Sequence, residues 1–225
     1  MSTQSYNQFC PIAKACEIIE PRWTLLILCE MWSGSSRFNE IKKGVPGMSP
    51  TLFSKRLKEM ILKGIISRER IPHSKQFNYK ITPTGQELAP IVYALGQWAH
   101  KHVNAEISLQ TLDAGLLMWN MRRNIDCSAI KSGKTVIEFI LTEGKSEPDC
   151  YWLIIKPGYD VDLCMKDPGF DVDLYVKADL KALTSVWMGL SSMRHEVAQD
   201  KIILLGDQEL AKSIDQWMIK SKFAS

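Results

Sequence analysis

Apolar positions recur at helical spacing from Ile12 to Ile19 and stop near Pro21. Trp23 to Trp32 is apolar on nearly all sides (Trp23, Leu25, Leu26, Ile27, Leu28, Met31), the pattern of a central buried helix. Ser33-Gly-Ser-Ser is a turn. Arg37 to Lys43 is a short helical piece with Phe38 and Ile41 turned inward, and Gly44-Val-Pro-Gly47 is a second turn. The next segment carries the clearest signals in the chain. Ser49 is an N-cap residue, Pro50 suits the first helical position because it has no N–H to satisfy, and Gly64 suits the stop. Leu52, Phe53, Leu57, Met60 and Ile61 form a stripe for burial. Thr51, Ser54, Lys55, Arg56 and Lys58 are left for the other faces.

Ile65 to Ile71 and Gln76 to Ile81 predict two short strands, with Pro72-His-Ser-Lys75 as their turn. Thr82-Pro-Thr-Gly then opens a helix running to about His102, with Leu88, Ile91, Leu95 and Trp98 along one stripe. Two helices joined by a short turn, the second capped and basic, followed by a charged hairpin, make a helix-turn-helix with a wing. Hydroxyls and cations on an exposed helix face suit base edges and phosphates, and Arg68, Arg70, Lys75 and Lys80 place charge on the hairpin for the sugar-phosphate backbone or the minor groove.

Beyond a short polar connection at 104–111 the pattern changes. Leu112 to Ile125 predicts a helix. Thr135 to Thr142, Tyr151 to Lys156, Val161 to Met165 and Val172 to Val176 predict strands, and their alternation predicts an antiparallel sheet with one buried face. Asp179 to Met188 and Ser191 to Ala198 predict helices. Lys201 to Leu205 predicts a strand, and Asp207 to Lys220 a final amphipathic helix. The fold class expected is α+β in two domains, 1–103 and 112–225.

Charge supports that division. Residues 1–102 hold 14 Lys and Arg against 7 Asp and Glu, a net +7; the remainder holds 14 against 18, a net −4. The basic part is the one suited to nucleic acid. No apolar run approaches the ~20 residues that span a bilayer, and Met1 to Gln8 lacks the features of a signal peptide. The expectation is a cytoplasmic protein with no membrane partner. None of the six cysteines forms a Cys-x-x-Cys pair, and the four histidines (His73, His100, His102, His195) do not cluster with them at ligand spacing. No metal, cofactor or enzymatic activity is expected: there is no phosphate-cradling Gly-rich loop and no His-Glu-x-x-His. Cys10 stands apart, just before Pro11 at the start of the first helical pattern, where a thiol can become reactive.

Several runs agree in order and spacing with one family: Cys10-Pro-Ile-Ala, Arg22-Trp-Thr-Leu-Leu-Ile-Leu, Arg37-Phe-Asn-Glu-Ile, Met48-Ser-Pro through Arg56-Leu-Lys-Glu, Lys63-Gly-Ile-Ile and Asn78-Tyr-Lys-Ile-Thr-Pro-Thr-Gly. Through residues 8–102 the chain resembles the HxlR-type branch of the MarR-like winged-helix regulators. That resemblance implies a DNA-binding transcriptional regulator, homodimeric through its N-terminal segments and the long helix after the wing, with 49–63 as recognition helix and 66–81 as wing. It also implies a sensing role for Cys10, since some members use a cysteine at this place as an oxidant or electrophile sensor. The second part resembles the sterol-carrier-protein-2-like (SCP2-like) fold in Phe170-Asp-Val-Asp-Leu, Ala178-Asp-Leu-Lys-Ala-Leu, Val186-Trp-Met-Gly-Leu and Lys201-Ile-Ile-Leu-Leu-Gly-Asp-Gln-Glu-Leu-Ala. That implies a sheet with helices packed on one face and an apolar ligand as a further partner.

The expected contacts with double-stranded DNA are Thr51, Ser54 and Lys55 nearest the bases, Lys58, Arg70 and Lys75 on phosphates, and Arg37 and Ser49 beside them. Arg56 is the ambiguous cation, because it can instead turn to Glu59 or Glu40. Trp119, Trp152, Trp187 and Met188 are the candidates to line an apolar cavity, against the commoner role of such side chains as core. Two rival readings are a lipid or apolar-ligand carrier whose helical half only dimerises, and a thiol-based regulator acting through Cys10.

Overall fold

The computed structural model describes residues 5–130, 133–142 and 148–224, apart from the side chains of 107 and 108. The first four residues of the polar N-terminal stretch lie outside that description. The chain forms two compact units, Met1–Trp98 and Ala99–Ser225.

In the first unit, helices α1 (Pro11–Ile19), α2 (Thr24–Trp32), α3 (Phe38–Lys43) and α4 (Pro50–Leu62) precede a hairpin of β1 (Ile66–Arg70) and β2 (Phe77–Ile81). Ile27 and Leu28 of α2, Ile41 of α3, Phe53, Leu57 and Met60 of α4, and Ile65 and Ile66 at the start of the hairpin share one core. Trp23 does not begin α2, as its apolar pattern suggests. It sits before the helix with φ 83°, and Thr24 starts the helical ladder through a turn to the Pro21 carbonyl at 3.1 Å. A left-handed tryptophan is strained. Its indole lies against Gly47, where a Cβ would be 3.2 Å from the ring. The strain therefore accompanies a contact between the segment before α2 and the turn before α4.

Thr82 caps α5 (Pro83–Gln86), accepting from Gly85 N–H at 3.1 Å, and its hydroxyl also donates to the Ile65 carbonyl at 2.9 Å. The single helix expected from Thr82 to His102 is interrupted. A second helix, α6 (Ala89–His102), begins after Leu88, because Pro90 has no N–H with which to continue the ladder from α5. No residue of α6 is buried.

The second unit contains α7 (Ala105–Ser108), α8 (Ala114–Met121), β3 (Thr135–Thr142), β4 (Asp149–Ile155), β5 (Asp162–Cys164), β6 (Leu174–Asp179), α9 (Leu180–Trp187), α10 (Met193–Ala198), β7 (Ile202–Gly206), α11 (Gln208–Lys212) and α12 (Ile214–Trp217). Asp113, Asp179, Ser192 and Asp207 cap α8, α9, α10 and α11. The five strands lie in the order β5-β4-β3-β6-β7. The antiparallel expectation needs correction: β6 runs antiparallel to β7 but parallel to β3, from Ile137 opposite Leu174 to Thr142 opposite Asp179. Alternation reports only that one face is buried; strand direction depends on the crossover.

That buried face carries Ile137, Phe139, Leu141, Leu153, Leu174, Val176 and Ile202, which join Met118, Met121, Leu183, Val186, Met193, Leu210 and Trp217 of the helices in one core. The expected final helix is broken. Ser213, outside helical geometry at ψ 10°, ends α11, and the short α12 re-aims the chain so that Trp217 is fully buried with its Nε1–H donating to the Leu210 carbonyl at 2.9 Å.

Candidate nucleic-acid interface

Helix α4 is held by its inner stripe and opened on its outer one. Phe53, Leu57 and Met60 are buried, whereas Thr51, Lys55 and Lys58 are exposed and Ser54 is half-buried. Its start is fixed twice over. The Ser49 hydroxyl accepts from Leu52 N–H at 3.3 Å, and the turn before it is anchored by buried Val45 and Met48. The Lys42 ammonium donates to the Val45 and Pro46 carbonyls at 3.3 and 3.1 Å, so this cation serves the turn.

A buried carboxylate stands behind that turn. Glu30, at the end of α2, accepts from the Ser35 hydroxyl at 2.5 Å, and a Cβ on Gly44 would overlap its carboxylate. Gly44→Ala must push this carboxylate out of its place, so a loss of about 1–3 kcal/mol in unfolding free energy is expected. Urea denaturation measures it; a loss within about 0.5 kcal/mol, the range of ordinary surface changes, would contradict the packing described.

The basic side chains divide into engaged and open ones. Arg56 turns inward and pairs with Glu59, the alternative its position allows. Glu59 also stands 3.9 Å from Lys55. Lys58 is exposed and makes no ion pair among the described residues. Arg37 is the residue before α3. Its main-chain N–H donates to Glu40 at 3.0 Å, and its guanidinium is 62% exposed, 3.9 Å from the same carboxylate. Ser36 and Arg37 also reach the wing: Tyr79 N–H donates to the Ser36 carbonyl at 2.8 Å, and Arg37 bridges Asn78. The sequence pattern does not announce that third rung, because two residues are too few for an alternation.

In the wing, Ile66 pairs with Ile81 and Arg70 with Phe77. Arg68 lies over the Phe77 ring at 4.8 Å and Lys80 pairs with Glu69 at 2.6 Å, so both are occupied within the hairpin. Arg70 donates through Nε to the Ser74 carbonyl at 3.2 Å across the tip, where His73 adopts φ 58°. Lys75 is exposed at the tip and makes no ion pair among the described residues. The left-handed His73 is a feature that composition could not reveal; Asn or Gly would have signalled it. Cys10 occupies the N-cap of α1, half-buried, without a side-chain capping bond.

Residues 18–107 match the model of the HxlR-like helix-turn-helix family. The uncharacterized HTH-type transcriptional regulator YvaP of Bacillus subtilis (strain 168) is 36% identical over 100 residues, covering 44% of this chain and 93% of that protein. The chain belongs to the HxlR-like helix-turn-helix family. An uncharacterized HTH-type transcriptional regulator of Methanothermobacter thermautotrophicus is 31% identical over 90 residues, covering 40% of this chain and 69% of that protein. Among solved structures, the redox regulator HypR in its reduced form is 25% identical, with a TM-score of 0.41, covering 44% of this chain and 99% of that one. The Bacillus and Methanothermobacter relatives are both HTH-type transcriptional regulators by description. No described helix is long and apolar enough to cross a membrane.

The ligand candidates of the second unit fall in different places. Trp187 packs against the helix-covered core, and Met188 ends α9. Trp152 lies on β4 between Tyr151 and Leu153, both of which face that core, so its own ring is on the opposite face of the sheet. There it stands across from Glu138 and Cys164 and hydrogen-bonds the Glu138 carboxylate. Trp119 is buried beneath the Arg122 guanidinium, 3.9 Å from its ring, with Arg123 at 5.3 Å. The structure thus does not bring Trp152 and Trp187 together. Burial, with the Asp167 charge behind it, pushes the Glu138 carboxyl up, and burial with Glu138 nearby pushes the Cys150 thiol up.

Proposed function

We propose that this HxlR-like chain is a homodimeric transcriptional regulator that places α4 in the major groove and the β1–β2 wing on the sugar-phosphate backbone or in the minor groove. One observation carries the reading. The inner stripe and cap hold α4 rigidly, while Thr51, Lys55 and Lys58 stand outward on it. Thr51, Ser54 and Lys55 contact base edges, Lys58, Arg70 and Lys75 contact phosphates, and Arg37 and Ser49 flank them. Residues 1–103 act as the DNA-binding and dimerisation domain. The exposed apolar stripe of α6, with Ile91 and Leu95, supports pairing with a second copy. Residues 112–225 act as an SCP2-like module that takes an apolar ligand; a five-stranded sheet with helices on one face supports that reading. Control by that ligand requires different affinities for the DNA-competent and incompetent states. The protein works in the cytoplasm.

The test is a gel-shift on genomic fragments, repeated over a range of salt. Saturable, sequence-selective binding that weakens steeply with salt is expected, because each neutralised phosphate releases counterions. Lys75→Ala lowers the salt slope by about 1, and Lys55→Ala costs about 1–3 kcal/mol at the selected site. If the two together leave affinity and slope unchanged, the placement of α4 and the wing is wrong. Binding without selectivity would instead favour a carrier whose helical half serves only dimerisation. For Cys10, diamide treatment that alters DNA binding of the native chain and not of Cys10→Ser is the expected result of a redox role.

A further inference from the structure

The sheet of the second unit ends in an unusual edge. Strand β7 is outermost, and its sequence Ile-Ile-Leu-Leu-Gly contains no lysine, proline or inward charge of the kind that normally blunts an edge. Asp207 N–H bonds the Asp173 carbonyl at 2.8 Å, and Asp179 N–H bonds the Lys201 carbonyl at 2.9 Å. The odd-numbered residues of β7 therefore turn their main-chain groups toward β6. The N–H and C=O groups of Ile202, Leu204 and Gly206 point away from the sheet, and no hydrogen bond among the described residues takes them. Beside this row, on the face away from the helices, Leu205 is 58% exposed, with Ile203 and its neighbour Tyr175 each 39%. Met193 of α10 and Leu210 of α11 are buried in the core on the other face, so those helices do not cover this one.

The geometry points to a second copy of this chain as the occupant: β7 pairs antiparallel with β7 of another molecule about a twofold axis through Leu204. The register is self-complementary. Leu204 meets its own copy, Ile202 meets Gly206, and about six main-chain hydrogen bonds form across the new pair. The non-hydrogen-bonded positions, where side chains approach most closely, place Ile203 opposite Leu205 and Lys201 opposite Asp207. One pairing thus joins apolar to apolar twice, and twice brings Lys201, 3.9 Å from Glu196 of its own chain, opposite the Asp207 that caps α11. A shift of register by two residues sets Lys201 against Leu205, or Ile203 against Asp207, and loses the charge match. This interface is separate from any pairing through α6.

Sedimentation velocity of the full chain tests it, in a background where Ile91→Glu and Leu95→Glu remove the α6 stripe. That protein is expected to sediment as a dimer, and Leu205→Lys in the same background is expected to halve its mass. Lys201→Glu, which sets a carboxylate opposite Asp207, is expected to weaken the dimer at least tenfold. Amide exchange at Ile202, Leu204 and Gly206 in the otherwise native chain is expected to slow as protein concentration rises. Leu205 and Lys201 are exposed, so circular dichroism identical to the parent establishes that the variants fold. A monomer before Leu205→Lys is added, an unchanged mass after it, or concentration-independent exchange at the three amides would each overturn the pairing.

Discussion

Gly85→Ala is expected to destabilise the first unit by about 3 kcal/mol or more, a loss typical of a backbone overlap that cannot relax. A Cβ at this position would overlap the Ile65 carbonyl oxygen and come within 2.9 Å of Ile81 Cγ2. Neither neighbour is at liberty to move. The Ile65 carbonyl already accepts from Thr82 N–H at 3.0 Å and from the Thr82 hydroxyl at 2.9 Å, and Ile81 closes the wing opposite Ile66. The run Ile81-Thr-Pro-Thr-Gly85 is thus a clamp: Thr82 caps α5 and grips the Gly64 and Ile65 carbonyls just before β1, Pro83 starts the helix, and Gly85 lets α5 touch that main chain. Gly64→Ala is the matched comparison. Its φ of 70° disfavours a side chain, but a Cβ there meets nothing within 4 Å, so about 1 kcal/mol is expected. Thermal denaturation ranks the two. Equal losses would mean that the close approach of α5 to the Ile65 main chain is not what Gly85 serves. Because the clamp also sets the wing, Gly85→Ala is expected to weaken DNA binding in protein that remains folded.

Trp217→Ala is expected to remove about 3–5 kcal/mol from the second unit, the usual cost of emptying a fully buried aromatic site. The ring occupies the core between sheet and helices, and its N–H satisfies the Leu210 carbonyl. The main chain around it is tied as well: Asp126 N–H donates to the Trp217 carbonyl at 2.8 Å, and Ile219 N–H to the Asn124 carbonyl at 3.0 Å. The loss should therefore include the pairing of 124–126 with 217–219, detected as faster amide exchange in that pair. Trp217→Phe keeps most of the volume but deletes the donor, and an intermediate loss is expected. If phenylalanine costs as much as alanine, the hydrogen bond rather than the packing dominates.

What could be foreseen from the residues divides by the range of the forces involved. The cap and first turn of α4 were legible at Ser49 and Pro50, because capping is settled within a few residues. The wing was legible for the same reason, and the turn of Arg56 toward Glu59 was one of two local options. Features set by distant contacts were not. Trp23 leaves the helical ladder to lie against Gly47, a contact no local pattern encodes. The last helix breaks at Ser213 because Trp217 must reach the core, although helical periodicity alone runs straight through. The parallel pairing of β3 with β6 spans more than thirty residues between partners, Ile137 to Leu174, beyond anything an alternation can report. The proposed DNA contacts were named from residue type and position; which cations the fold keeps for itself, such as Lys42, Arg68 and Lys80, emerged only with their partners.

The strand order has a consequence for how the molecule is made. Strand β6 lies between β3 and β7, yet the ribosome delivers Leu174–Asp179 well before Ile202–Gly206. During that interval β6 is a temporary rim with its main-chain groups toward β7 unmet, the condition in which nascent chains stick to one another. The first unit depends on contacts close in sequence and can fold while the rest is still being translated. Completion of the second waits for β7 and for Trp217, which follows it in the chain and fills the same core. A chain truncated before Ile202 would therefore retain a folded first unit attached to a sheet that lacks both its last strand and the buried Trp217, and solubility should rise sharply from fragments ending before β7 to those that include β7 and Trp217.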